Sequence, residues 1–203
     1  FWEVTTVCSW ALIGFYEEEP ESQAAAQKAF LMTAGGGLCL LAALLAVVGL
    51  TGSADFDALG RLPAEVRAGA ATALVLLLCV GAWAKSAQVP FHTWLPSAMV
   101  APSPVSAYLH AASMVNAGVY LVLRIALANG KGISPDGLMS SALPGAVAPV
   151  VGVMAVVTLV VAVAQFFYQG DLKRLLALST ISHLALILLG GALAMAGSLE
   201  AAL

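Results

Sequence analysis

The stretch that decides the fold is Lys85-Ser86-Ala87-Gln88-Val89-Pro90-Phe91-His92-Thr93-Trp94-Leu95-Pro96, which places a cation, an amide and two prolines within apolar sequence. Between residues 68 and 123, Lys85 is the only Asp, Glu, Lys or Arg. A lysine buried in a membrane is costly unless it is paired or hydrated, so such a residue is a functional candidate by default. Pro90 and Pro96 each remove a backbone donor, and together they predict a broken helix.

The composition is that of an integral membrane protein. The chain is 61% hydrophobic and 9% charged, and its mean hydropathy is +0.97. Long uncharged runs favour membrane-spanning helices over the alternating pattern of a barrel. The net charge of −3 says little about partners, and no basic run suggests nucleic-acid binding. The three cysteines stand singly in separate apolar segments, and neither the sequence nor its motifs predict a metal ligand set, a cofactor or a catalytic site.

We predict an all-α integral membrane fold with about six transmembrane helices, each near the ~20 residues that a bilayer requires. The third helix is expected to be discontinuous near Pro90. Because the chain opens at Phe1 inside an apolar segment and closes on Leu203, we expect residues 1–203 to be part of a longer helical bundle, truncated at both ends. The expected spans are about 1–16, 27–50, 66–90, 104–128, 145–168 and 175–196.

Four ionisable residues lie at depth on different spans: Glu3, Lys85, His110 and His183. At about 1.5 Å per residue, Glu3 lies roughly 20 Å from the acidic loop, and His183 about 13 Å past the last polar turn. Glu and His exchange protons near neutral pH, and an amine out of water gives up its proton more readily, so the set suits a proton relay. The alternatives are interhelical hydrogen bonds for the acid and the histidines, and a snorkelling Lys85. For His92, between the prolines, a structural role is the better interpretation.

Several segments carry a family resemblance. The chain closely resembles the antiporter-like proton-conducting subunits, which include subunit L of respiratory complex I and the A-type subunit of Mrp-type multisubunit sodium/proton antiporters. The segments that carry the resemblance, in order along the chain, are Phe1-Trp2-Glu3, Lys85-Ser86-Ala87-Gln88, Trp94-Leu95-Pro96, Ala101-Pro102-Ser103-Pro104-Val105-Ser106-Ala107-Tyr108-Leu109-His110, Ala117-Gly118-Val119-Tyr120-Leu121 and Asp171-Leu172-Lys173-Arg174-Leu175-Leu176 through Ser182-His183.

The resemblance implies roles for individual residues. Glu3 is similar to the family's helix-five glutamate, Lys85 to the lysine of its discontinuous helix seven, and His110 to the protonatable residue of helix eight. In the family, the glutamate is thought to tune the proton affinity of the lysine, and the helix-eight group passes the proton along the midplane of the bilayer. The implied partners are other membrane subunits, the lipid bilayer, protons and, as an open question, Na⁺. The implied location is a bacterial or archaeal inner membrane, with several passes.

The function within the family stays open between two classes. The leading interpretation is a cation/proton antiporter subunit of the Mrp type. The alternative is a proton-pumping subunit of NADH-quinone oxidoreductase (complex I) or of a membrane-bound hydrogenase, in which case the chain would belong to a redox translocase. Asn116 stands where the Mrp pattern usually has lysine, and since asparagine carries no proton, this departure favours a route through His110. A passive membrane scaffold is the third alternative.

Overall fold

The computed structural model describes residues 1–53, 71–111, 114–129 and 147–195, without the side chains of residues 110, 111, 126–129 and 194. The described part is helical. Its helices are α1 (Trp2–Ile13), α2 (Pro20–Thr51), α3 (Ala71–Lys85), α4 (Trp94–Ser97), α5 (Ser103–Ala111), α6 (Met114–Asn129), α7 (Val147–Phe166) and α8 (Leu172–Met195), with 3₁₀ turns at Phe91–Thr93 and Ala98–Val100.

The all-α membrane fold is confirmed. Within the described residues, four candidate spans are long and apolar enough to cross a bilayer: Pro20–Thr51, Val147–Phe166, Leu172–Leu193 and Ser103–Ile125. The last of these comprises α5 and most of α6, on either side of residues 112 and 113, which lie outside the described residues. Two of the expected spans are represented by shorter helices, with 12 residues in α1 and 15 in α3. The expected start of the third span near residue 66 lies outside the described residues.

Helix α2 begins earlier than the sequence pattern suggests, at Pro20 and not near Gln27. Glu19 is its N-cap in an extended conformation, and Pro20 follows as the first helical residue, where its missing N–H costs nothing. Glu21 then lies in the first turn, where a negative charge interacts favourably with the helix dipole. The acidic residues expected to form a loop therefore partly belong to the helix.

Helix α8 also begins early, at Leu172. Asp171 caps it, because its Oδ1 accepts a hydrogen bond from the backbone N–H of Lys173 at 3.0 Å. The Asp171 carbonyl accepts from the N–H of Leu175 at 2.9 Å, which closes the first turn. The polar run that the sequence analysis assigned to a turn is the start of the helix.

Helix α3 lies at the centre of the described bundle, packed against α2 and α6, while α7 and α8 pair closely and α1 packs on α2. Small residues allow the close approach of α2 and α3. A side chain at Gly81 would lie 2.6 Å from Leu40 Cβ and 2.9 Å from the Gly36 carbonyl, so the two backbones are nearly in contact. Such small-residue contacts are the usual way in which membrane helices pack.

The third helix is discontinuous, as expected, but it ends at Lys85, ahead of Pro90. Ala87 adopts a left-handed conformation with φ 49°, and the N–H of Gln88 bonds back to the Trp83 carbonyl at 2.9 Å. This backbone pattern is a common helix stop, although glycine is the usual residue at the left-handed position. The Val89–Pro90 peptide bond is cis. Pro96 lies in the short helix α4, within a first turn where proline is tolerated.

Neighbouring side chains satisfy the backbone groups that the break sets free. The indole N–H of Trp94 donates to the Ala84 carbonyl at 3.0 Å, and the backbone N–H of Val89 donates to Thr158 Oγ1 on α7 at 3.1 Å. The Ser86 hydroxyl ties the end of α3 to α6 by donating to the Val115 carbonyl at 2.7 Å. A broken helix at membrane depth requires this kind of compensation.

Candidate functional site: a buried lysine at a helix break

Lys85 is the last residue of α3, and 1% of its surface is exposed. Its ammonium nitrogen donates three hydrogen bonds to α1: to the Trp2 carbonyl at 2.9 Å, to Thr5 Oγ1 at 2.9 Å and to Thr6 Oγ1 at 2.6 Å. An ammonium group has three N–H donors, so these acceptors satisfy all of them. The Trp2 carbonyl and the hydroxyls of Thr5 and Thr6 are called the lysine cradle below.

The cradle forms because its three residues share one face of α1. Residues three and four positions apart are neighbours on a helix surface, which brings Thr5 and Thr6 alongside Trp2. The Thr5 hydroxyl also donates to the Trp2 carbonyl at 2.7 Å. The Trp2 ring lies 5.5 Å from the ammonium nitrogen and adds a cation–π attraction. The break at Lys85 thus places its side chain against the start of α1.

Glu3 lies next to the cradle, in the first turn of α1. Its carboxyl group packs against the backbone of Gly37 on α2, where a side chain on the glycine would overlap Glu3 Oε1. That oxygen is buried and has no hydrogen-bond partner among the described residues. Glu3 adjoins Trp2, whose carbonyl oxygen accepts a hydrogen bond from the Lys85 ammonium group. The described residues nevertheless show no ion pair between the two side chains, because the cradle holds the ammonium group.

The structure places Glu3 on the same helix as the cradle that holds Lys85, and it places His183 on a different helix. His110 lies on α5, and its side chain is outside the described residues. His183 lies on α8 with its side chain on the exposed face of the described bundle. The two histidines therefore keep their sequence-based assignments as predictions.

Sequence reasoning missed four residues of the site: Thr5 and Thr6 of the cradle, Gly37 beside Glu3, and Trp94, which caps α3. One signal was available, because two adjacent hydroxyls interrupt the apolar start of α1 shortly after Glu3. Gly37 is one of three consecutive glycines, and nothing in the sequence distinguishes it from the other two. Trp94 entered the sequence analysis only within the lysine–proline stretch and the family resemblance, and its indole hydrogen bond was not predicted.

A second polar cluster lies near the starts of α2 and α8. It surrounds a cavity of about 280 Å³ lined by Glu21, Lys28, Ser97 and Arg174, among others. Arg174 forms an ion pair with Glu21 at 3.1 Å, and the Lys28 ammonium donates to Ser97 Oγ at 3.1 Å. The ion pair is largely exposed, so it contributes little to stability.

Similarity to known proteins extends over the whole chain. Residues 1–203 match the family model for the transmembrane domain described as "NADH:quinone oxidoreductase/Mrp antiporter, TM". The chain belongs to this family. The resemblance drawn from the lysine–proline stretch is confirmed, and so is the membrane class that the composition predicted.

Members of both branches of the family are similar to this chain. The A/B subunit of a probable K⁺/H⁺ antiporter of Rhizobium meliloti (strain 1021) is 40% identical over 191 residues, which are 92% of this chain and 18% of that protein. NAD(P)H-quinone oxidoreductase subunit 5, organellar chromatophore 1, of Paulinella chromatophora is 40% identical over 195 residues, 93% of this chain and 28% of that protein. A putative antiporter subunit mnhA2 of Staphylococcus aureus (strain JH9) is 38% identical over 189 residues, which are 93% of this chain and 22% of that protein.

A solved structure shares the fold. A chain of the Mrp complex from Dietzia sp. DQ12-45-1b aligns with a TM-score of 0.80 and 36% identity over 99% of this chain and 21% of its own length. The chain therefore spans 18–28% of the length of these four proteins. Together with the four candidate spans found among the described residues, the family assignment makes it a multi-pass membrane protein.

Proposed function

We propose that this chain is part of a subunit that translocates protons through Glu3, Lys85, His110 and His183, as the antiport arm of a multisubunit cation/proton antiporter of the Mrp type. The observation that carries the proposal is Lys85 itself. Among the described residues, the Lys85 ammonium is fully buried at a broken helix, hydrogen-bonded to three neutral oxygens, and the nearby Glu3 Oε1 has no hydrogen-bond partner. Such a group is expensive to maintain for structure alone.

The surroundings of Lys85 balance its charged and neutral forms. Burial disfavours the ammonium, whereas the cradle oxygens and a nearby carboxylate favour it. A change in the distance between Glu3 and Lys85 alters this balance without any large motion of α1 or α3. The lysine then takes up a proton when the carboxylate is near and releases it when the carboxylate is far or neutral.

The released proton needs an acceptor, and His110 is the group proposed to receive it, since histidine exchanges protons near neutral pH. His183 is the next group in the proposed order. It lies on the exposed face of α8, so the proton would continue into parts of the longer protein beyond this chain. Water in a polar midplane cavity would fill the remaining gaps.

The names of the relatives support antiport. Two of the relatives are named as antiporter subunits, and the structural neighbour is a Mrp complex. The proposed partners are accordingly other membrane subunits, in a bacterial or archaeal inner membrane. The second candidate function, proton pumping in an NADH-quinone oxidoreductase, is favoured by the equally similar chromatophore protein. For the whole protein, we propose that proton movement is coupled to the transport of Na⁺ or K⁺.

The test uses the full-length protein in its complete complex, in sealed membrane vesicles. A cation gradient applied without NADH should drive a change of internal pH, and Lys85→Ala should abolish that change while the complex still assembles. Lys173→Ala is the matched control, because the Lys173 ammonium bonds to the Ala101 carbonyl near the polar cluster and away from the cradle. Normal transport by Lys85→Ala would refute the relay. Proton movement that requires NADH and quinone would favour the second candidate.

A further inference from the structure

Three consecutive glycines on α2 have three different surroundings. A side chain at Gly35 would meet no atom within 4 Å, and one at Gly36 would overlap Ala84 Cβ on α3. A side chain at Gly37 would overlap Glu3 Oε1 and lie 2.7 Å from its carboxyl carbon. Real Cβ contacts are not this short, so the carboxyl group of Glu3 occupies the volume that any residue other than glycine would fill.

The Glu3 carboxyl group can lie against α2 because Gly37 has no side chain there. Its Oε1 atom is buried without a hydrogen-bond partner among the described residues, so no donor from the described chain holds that oxygen against α2. On α1 the neighbouring residue Trp2 and the two threonines of the cradle hold Lys85 instead. The acid and the cradle thus lie on adjoining residues of α1, yet the carboxyl group and the ammonium group have separate places.

Separation of the two groups matters for proton release. The interaction between two charges falls with the distance between them, and a carboxylate in direct contact favours the charged amine most. Glu3 is the acidic residue in the first turn of α1, next to the cradle residue Trp2. Cys8 of α1 and Tyr108 of α5 line a groove beside Thr5.

We propose that Gly37 is a positioning residue for the relay: the space at its Cα keeps the Glu3 carboxyl group out of direct contact with Lys85, so that the lysine can release its proton. The inference rests on the proposed function, in which Glu3 and Lys85 carry the relay. Any side chain at position 37 moves the carboxyl group toward the cradle and holds the proton on Lys85.

The experiment compares Gly37→Ala with Gly35→Ala in the full-length protein within its complete complex, in vesicles. Both variants add one methyl group to the same helix, two residues apart. We expect Gly37→Ala to reduce transport by at least about tenfold, since displacing a reacting group by about 1 Å costs up to about 100-fold. Its pH profile should also move to higher pH, because a closer carboxylate favours the charged lysine. Gly35→Ala should change neither quantity. Equal transport by the two variants would overturn the inference.

A rescue variant separates positioning from a general packing defect. Aspartate is one methylene shorter than glutamate, so its carboxyl group should leave room for the added methyl group. The double variant Glu3→Asp/Gly37→Ala should therefore transport better than Gly37→Ala alone, and it should assemble at least as much complex. In a Glu3→Ala background, Gly37→Ala should cause no further loss of assembled complex, because the carboxyl group that it displaces is absent. If Glu3→Asp fails to restore transport to Gly37→Ala, or if Gly37→Ala lowers the amount of complex just as much in the Glu3→Ala background, the positioning role is wrong.

The two proposals fail in different ways. If Glu3→Ala transports normally, the relay through Glu3 is wrong, and the positioning role of Gly37 falls with it. If Glu3→Ala abolishes transport while Gly37→Ala keeps the original rate and pH profile, the relay stands and only the positioning role is wrong.

Discussion

Thr6 Oγ1 lies 2.6 Å from the ammonium nitrogen of Lys85, the shortest of the three hydrogen bonds in the cradle. Thr6 is itself fully buried on α1, so its hydroxyl and the lysine have little access to alternative partners. A hydrogen bond to a charged group is worth about 1.5–3 kcal/mol, which makes this contact one of the main terms that stabilise the charged lysine.

Replacing Thr6 with valine removes that acceptor at nearly constant volume. The charged form of Lys85 loses about 1.5–3 kcal/mol, so the pH profile of transport should move to lower pH by about one unit or more. The measurement is cation-driven proton transport in vesicles between about pH 6 and pH 9. The matched control is Thr33→Val, because the buried Thr33 hydroxyl bonds only to carbonyls of its own helix, with Ala29 at 2.7 Å. If both variants shift the profile alike, the cradle has no special role.

Lys85→Arg keeps a positive charge at the same position but should still impair transport. A guanidinium group does not release its proton under these conditions, and its planar fork does not match the three acceptors of the cradle. We expect assembled complex with strongly reduced transport across the whole pH range. A variant that transports normally would show that the charge suffices and that this side chain carries no proton.

The fold was largely predictable because it depends on composition and on prolines. Uncharged runs of about 20 residues specify spanning helices whatever their partners, and the lysine–proline stretch specified a discontinuity. The residue at which α3 ends was harder to predict. Helix α3 ends at Lys85 because Ala87 turns left-handed, and alanine at such a position carries no sequence signal.

For the site, the sequence pointed to individual residues but not to the helix faces on which their side chains lie. Counting residues gives the height of a side chain along a span, and for Glu3 it predicts a position roughly 20 Å from the acidic loop. Counting does not give the face of the helix that meets a neighbour, which packing decides. His183 therefore lies on an exposed face, and the Thr6 hydroxyl meets a lysine where the Thr33 hydroxyl meets its own backbone.

Trp94 should stabilise the break through its indole N–H. In Trp94→Phe the aromatic packing largely remains, but the buried Ala84 carbonyl loses a partner that now lies at 3.0 Å. Leaving a buried acceptor unsatisfied costs about 1–3 kcal/mol, so the purified full-length protein in detergent should unfold at a lower temperature. Trp10→Phe is the control, because Trp10 is 42% exposed and its ring contact with Phe30 can be kept by phenylalanine. Equal unfolding temperatures for the two variants would contradict this role.

His110 is predicted to receive the proton from Lys85, and its neighbourhood provides an internal comparison. Within the span from residue 104 to residue 128, His110 is the only side chain that exchanges protons near neutral pH, whereas Asn116 cannot titrate. His110→Gln keeps a polar side chain of similar size and should slow cation-driven transport strongly, by a factor of about 100 or more if the relay loses an obligatory carrier. Asn116→Ala should reduce transport much less. Both are measured in vesicles that contain equal amounts of assembled complex. A damaging Asn116→Ala with a silent His110→Gln would mean that protons leave Lys85 by another route, and the order Glu3, Lys85, His110, His183 would then be wrong.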